Sequence, residues 1–228
     1  MKPSNDAIDI WQIDLQHEAL LKKARLLLNT SELARANRFY FAKHTRRFSL
    51  ARAALRLLLM HYTKLPHLSF EANKYGKPFI PNTNIKFNLS HSRDTALLAI
   101  TQSFELGVDI EFFSNRDLLG IAKHAFSDQE NQALSQLSNE QLDSAFFHIW
   151  AQKEAFIKAC GMGLSYNTKA FTVTASPPAN LLSTNNKQDS HWLLHSFQPF
   201  ENCWAALCYQ QHQPKIRSIH FDWDEWLL

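Results

Sequence analysis

Apolar and polar residues alternate over residues 7–15, which predicts a strand. Residues 17–28 and 31–43 shift to the helical period, and Ser31 reads as the cap of the second helix. A longer helix is predicted over 45–62, with Phe48, Ala51, Leu55, Leu58, Leu59 and Tyr62 on one face. Tyr75-Gly76-Lys77-Pro78 reads as a turn, since Gly and Pro flank the lysine. Strands over 86–90, 95–101 and 106–112 follow, and their short links predict an antiparallel meander. Helices are then predicted over 117–124, 127–137 and 139–161, the last closing at Gly161-Met162-Gly163. The tail returns to strands over 170–174, 191–197, 203–209 and 216–222, while Ser, Pro and Asn over 175–190 predict a mobile loop. This order predicts an α+β fold of two successive units, residues 1–112 and 113–228, and argues against the alternating βαβ units of a parallel sheet.

Composition narrows the class. The 228 residues are 45% hydrophobic and 20% charged, and the 17 Phe and 6 Trp supply a packed core, so a disordered chain is excluded. No apolar run approaches the roughly 20 residues of a membrane span, and the first six residues lack the apolar stretch of a signal peptide. The 3 Cys are odd in number and show no CxxC spacing, which points to a reducing cytoplasm and away from a disulfide framework or zinc site.

Charge is uneven. Residues 1–114 hold 16 Lys+Arg against 10 Asp+Glu, whereas residues 115–228 hold 8 against 11. Ten cations between Lys22 and Arg56, Arg38 among them, face one acid, Glu32. Such a run makes a field suited to a polyphosphate, a nucleic acid or an acidic protein, or simply a solvated face.

Three segments carry candidate chemistry. In Gly107-Val108-Asp109-Ile110-Glu111 the strand period puts Asp109 and Glu111 on one face and Val108 and Ile110 on the core face. Paired carboxylates repel and call for a cation, and hard oxygen donors suit Mg²⁺ beside phosphates; the alternative is an edge strand with a solvated acidic face. In Trp150-Ala151-Gln152-Lys153-Glu154-Ala155-Phe156-Ile157-Lys158, the helical spacing lets Glu154 and Lys158 meet. In Phe87-Asn88-Leu89-Ser90-His91-Ser92 a strand delivers small polar residues and an imidazole to its end, as donors to phosphate, with His91 as a general base, or as a strand-to-turn cap.

Taken together with Gly76-Lys77-Pro78, Phe126-Ser127 with Glu130, and Gly161-Met162-Gly163-Leu164-Ser165, these segments resemble the surfactin-type (Sfp-like) branch of the 4'-phosphopantetheinyl transferases. The resemblance runs from about residue 35 to residue 165, and the last sixty or so residues carry no matching motif. It implies two α+β halves related by a pseudo-twofold axis, with coenzyme A in the cleft between them. It also implies transfer of the 4'-phosphopantetheine arm of coenzyme A to a serine of an acyl or peptidyl carrier protein, with release of adenosine 3',5'-bisphosphate. By the same resemblance Asp109, Glu111 and Glu154 hold Mg²⁺ (or Mn²⁺), and Lys158 approaches the pyrophosphate. Ser90, His91 and Arg47 contact the 3'-phosphate, Lys77 and Pro78 lie beside the adenosine, and Glu154 is the candidate base. A monomer is expected, because two halves of one chain build the cleft. A nucleic-acid partner is disfavoured, since the three acids would repel a phosphate backbone, and no GxxxxGK[ST] loop marks a P-loop enzyme.

Overall fold

The computed structural model describes residues 6–186, 191–210 and 213–227. The N-terminal half opens with β1 (Ala7–Asp14) and two short helices, α1 (Leu21–Leu26) and α2 (Thr30–Asn37). Helix α3 (Ala42–Thr63) follows, then the short strands β2 (Glu71–Ala72) and β3 (Pro78–Phe79), then β4 (Lys86–Ser92), β5 (Thr95–Thr101) and β6 (Leu106–Phe112). The second half comprises α4 (Leu118–Ala125), α5 (Asp128–Ser135), α6 (Asn139–Cys160), β7 (Phe171–Val173), β8 (Leu181–Thr184), β9 (Trp192–Phe197), β10 (Cys203–Gln210), β11 (Lys215–His220) and α7 (Trp223–Leu227).

Two main sheets, ordered β11-β1-β5-β4 and β6-β10-β9, stack face to face. Between them lies a core of Ile8, Ile10, Leu97, Ala99, Val108 and Leu207 among others. Each outer face is covered by one 22-residue helix. Leu50, Ala54 and Leu58 of α3 pack on Ile13, Leu98 and Ile100, while Ala155 and Phe156 of α6 share a core with Ala206 and Cys208. The fold is α+β in four layers. Central β5 is buried from Ala96 to Thr101, which is why its sequence is apolar on both faces rather than alternating.

Several local expectations shift. The meander ends after two strands: β4 and β5 form a hairpin, but β6 pairs antiparallel with β10 in the other sheet. The apolar face of β6 is satisfied by packing against the first sheet rather than by joining it. Strand pairing also crosses the sequence position 112/113 a second time, because β11 lies parallel to β1. Asn29, not Ser31, caps α2, through a reciprocal capping box with Glu32. Within the expected mobile loop, residues 181–184 form β8 and pair with β7. Residues 187–190 of that stretch, and residues 1–5 at the start, lie outside the described residues.

Much of the basic run is locally neutralised. Glu32 is buried and takes both Arg52 and Arg56, while Arg46 and Arg47 share Asp94. Arg25 donates to Asn37, and Arg35 and Lys43 lie over the rings of Phe48 and Phe41.

Candidate active site

The polar residues at the end of β4 stitch the two sheets together. Asn88, Ser90 and Ser92 alternate onto one side of the strand and face β6. Asn88 Oδ1 accepts from Val108 N at 2.9 Å, Ser92 Oγ accepts from Phe112 N at 3.2 Å, and Ser90 Oγ donates to Asp109 Oδ1 at 2.7 Å. Side chains thus replace a backbone ladder along this seam, a role for Asn88 and Ser92 beyond that of a strand end. The signal for it was the i, i+2, i+4 spacing of small polar residues on a strand.

Gly107 sets the opposite wall. A Cβ there would stand 2.2 Å from the carbonyl oxygen of Ala155 and 2.3 Å from the amide of Ala159, so the backbone of α6 lies directly on β6. This contact brings Lys158 to the carboxylates. Its Nζ lies 2.5 Å from Asp109 Oδ1 and 2.9 Å from Ser90 Oγ. Opposite Asp109 in the β6–β10 register stands Ala206, too small to crowd the carboxyl, and opposite Glu111 stands Trp204.

The site is short of positive charge. Asp109 is 3% exposed, and its Oδ2 has no hydrogen-bond partner among the described residues. Burial, reinforced by the Asp109 charge, pushes the Glu111 carboxyl up to about 7. The same two causes raise Glu154. One ammonium, Lys158, faces three acids. An orphaned buried carboxylate oxygen and two destabilised carboxylates are the donor chemistry that a hard divalent cation satisfies. The oxygens are not drawn together beforehand: among the described residues no cluster of three or more His, Cys, Asp or Glu forms a preassembled metal cage.

Ser90 links this acidic corner to a cleft of about 760 Å³. Arg47, His91, Gly76, Pro78 and Phe48 are among its walls. His91 is exposed at the edge, yet the surrounding protein and the charges of Lys158 and Arg47 hold its imidazole below the ordinary value. Lys77 points elsewhere. Its Nζ donates to Glu105 Oε2 at 2.8 Å, Leu106 O at 3.1 Å and Ala159 O at 3.0 Å, while Asn73 Nδ2 donates to Gly161 O at 2.8 Å. The turn is thereby fastened to the end of α6, and Gly76 and Pro78 are its cleft-facing residues. Arg38 is exposed at the C-cap of α2 and is not among the residues lining the cleft.

Glu130 and Lys153 support α6 from behind. Lys153 Nζ donates to Glu130 Oε1 and to Phe171 O, each at 2.8 Å, and lies 4.1 Å from the centroid of the Phe171 ring. Glu130 also closes the capping box of α5 with Ser127. The Phe126-Ser127-Glu130 pattern therefore marks a buried brace behind the acidic corner.

Two stacked sheets, each backed by a long helix, thus carry a seam of acids beside a cleft that Arg47 and His91 help to line. Sequence comparison gives the class. A family model for the 4'-phosphopantetheinyl transferase superfamily matches residues 105–208. The 4'-phosphopantetheinyl transferase HetI of Nostoc sp. is 35% identical over 220 residues, covering 90% of this chain and 91% of the relative. A putative 4'-phosphopantetheinyl transferase of Synechocystis sp. is 32% identical over 207 residues (83% and 82%), and psf-1 of Bacillus pumilus is 35% identical over 159 residues (68% and 67%). The chain belongs to the 4'-phosphopantetheinyl transferase superfamily and is an enzyme of that kind.

Proposed function

We propose that this enzyme transfers the 4'-phosphopantetheine arm of coenzyme A to a serine hydroxyl of an apo acyl or peptidyl carrier protein. The observation that carries the reading is the acidic corner, with an unpartnered Asp109 Oδ2 and Lys158 2.5 Å from Oδ1, beside a cleft walled by His91 and Arg47. The serine oxygen attacks the phosphorus that bears the pantetheine arm, and a new P–O bond forms. The bridging P–O bond of the pyrophosphate breaks, and adenosine 3',5'-bisphosphate leaves with the bond's electron pair. Glu154 takes the serine proton; burial and the Asp109 charge raise its proton affinity and make it a better base. Lys158 neutralises charge on the leaving phosphate. Ser90, His91 and Arg47 hold the 3'-phosphate, and the segment of Lys77 and Pro78, with Gly76, borders the adenosine.

Asp109, Glu111 and Glu154 would hold Mg²⁺, or Mn²⁺ in its place. Bound there, the ion supplies Lewis-acid neutralisation of the pyrophosphate. Both walls come from one chain, which supports action as a monomer, with halves meeting near residue 112. The 3 Cys, odd in number and without CxxC spacing, support a cytoplasmic setting, and among the described residues no helix is long and apolar enough to cross a membrane.

The test is intact-mass spectrometry of apo carriers incubated with the enzyme, coenzyme A and Mg²⁺. The expected result is a carrier heavier by one phosphopantetheinyl group, with adenosine 3',5'-bisphosphate in equal amount. An unmodified carrier across fatty-acid, polyketide and peptide types would overturn the reading.

A further inference from the structure

Arg47 is held from outside the cleft. Its Nε and NH2 donate to Asp94 Oδ1 and Oδ2, both at 2.8 Å, in a bidentate fork. Arg46 NH2 donates to the same Oδ1 at 2.8 Å. Arg46 is itself fixed, through Nε to Leu15 O at 3.0 Å and through NH1 to Glu18 at 3.1 Å. Asp94 lies in the β4–β5 turn, where its backbone carbonyl accepts from Leu15 N at 2.8 Å. Apart from Arg47, the carboxylate is therefore held by Arg46, which is itself fixed, and its backbone is tied to Leu15. The fork uses two guanidinium nitrogens of Arg47, and the third, NH1, has no hydrogen-bond partner among the described residues. Arg47 lines the cleft together with His91.

We infer that Asp94 is a positioning residue, which presents Arg47 to the terminal phosphate of coenzyme A without touching that phosphate. The inference rests on the assignment of Arg47 to the 3'-phosphate made above. Two effects of Asp94 oppose each other. Its negative charge weakens the field that attracts phosphate, while its fork removes the rotamer freedom Arg47 would otherwise lose on binding. Asp94 is three-quarters buried and already shared with Arg46, so much of its charge is cancelled locally. The geometric effect then dominates. The two arginines also keep the carboxyl ionised, pulling it down to about 2, so the fork persists across the working pH range.

The experiment compares coenzyme A with dephospho-coenzyme A, which lacks only the 3'-phosphate. The kcat/KM preference between them is measured for wild type, Asp94→Asn, Arg47→Ala and the double variant. Asp94→Asn should lower the preference about five- to tenfold, mainly through KM for coenzyme A, as expected for a weakened charge-assisted contact. The double variant should show no lower preference than Arg47→Ala alone, because Asp94 acts through Arg47. An unchanged preference in Asp94→Asn, a raised one, or additive losses in the double variant would each overturn the inference while leaving the Arg47 assignment standing. An unchanged preference in Arg47→Ala would remove that assignment, and the inference with it. If Asp94→Asn does not fold, Asp94→Glu keeps the charge but displaces the carboxylate by one methylene; it should also lose preference, and a wild-type value would count against Asp94. A loss of activity equal for both substrates would show a merely structural residue.

Discussion

Lys158 pairs with Asp109 across the sheet-to-helix contact, at 2.5 Å, and not with Glu154, which stands one turn back on its own helix. The i, i+4 spacing permits a Glu154–Lys158 pair, but Asp109 is the more buried acid and gains more from a nearby ammonium. Glu154 is left half-buried and raised in proton affinity. One relationship thus separates a paired anion, Asp109, from a carboxyl of raised proton affinity, Glu154.

Asp109→Ala should therefore remove transfer almost entirely, by at least about a hundredfold in kcat, as for loss of a main electrostatic element. The fold should largely persist, because the deletion removes a buried charge with one unpartnered oxygen, and Lys158, about a quarter exposed, keeps Ser90 and solvent as partners. Holo-carrier formation and far-UV circular dichroism measure the two halves of this expectation. Near-wild-type turnover, or turnover undiminished in excess chelator, would sink the carboxylate-held cation.

Gly107→Ala tests the contact that sets this geometry. The added methyl would stand 2.2 Å from backbone atoms of α6, where no flexible side chain can give way. Helix α6 must shift outward, taking Glu154 and Lys158 with it. The expected result is a loss of kcat of about tenfold or more, together with a fall in thermal stability on the order of 1–3 kcal/mol. Wild-type values for both would show that α6 and β6 do not need this approach.

His91 gives a prediction that reads binding apart from chemistry. In the free enzyme its imidazole is held below the ordinary value, first by the surrounding protein and then by Lys158 and Arg47, so it is mostly neutral at pH 7. A phosphate beside it favours the protonated form. Coenzyme A binding should therefore take up a proton, and affinity should rise as pH falls from 7 towards 6. Calorimetry in buffers of different ionisation heat measures the uptake directly, and His91→Ala should lose most of it. Equal uptake in the variant would assign the proton to another group.

How much of this was legible in the sequence depends on whether a residue's partner was local. The strand period places Val108 and Ile110 in the core, and most helices and strands lie where the hydrophobic repeats put them, although the helix expected over 31–43 ends at Asn37 and α7 has no counterpart among the expected elements. The destination of β6 was not legible, because its pairing partner β10 lies about a hundred residues away. Asn88 and Ser92 looked like a strand end, since only the second sheet reveals what they bond. Lys77 and Pro78 read as a segment beside the adenosine, and Gly76 and Pro78 line the cleft, but the carbonyls that take the Lys77 ammonium belong to β6 and α6, distant in sequence. The run of ten cations looked unopposed because Asp94 and Glu18 lie outside it in sequence.

The last expectation concerns acid stability and His148. This residue is 1% exposed, with Nε2 against Ser196 Oγ at 2.9 Å and Nδ1 against Thr174 O at 3.2 Å. Burial pushes its imidazole down to about 4, against about 6.5 in an unfolded chain. Above pH 6.5 it is neutral in both states and its contribution to stability is complete. Between 6.5 and 4 the unfolded chain takes a proton that the folded chain refuses, so stability falls with pH, by up to about 1.4 kcal/mol per unit. Glu111 opposes this: raised to about 7, it binds a proton in the folded state first and adds stability over part of the same window. Wild type measured in chelator should therefore show a shallow acid limb. His148→Asn removes one of the two opposing slopes. Its stability, from urea midpoints between pH 7.5 and 4.5, should be lower than wild type at the neutral end and gain on wild type steadily as pH falls. Parallel pH profiles for the two proteins would mean that His148 does not remain neutral in the fold.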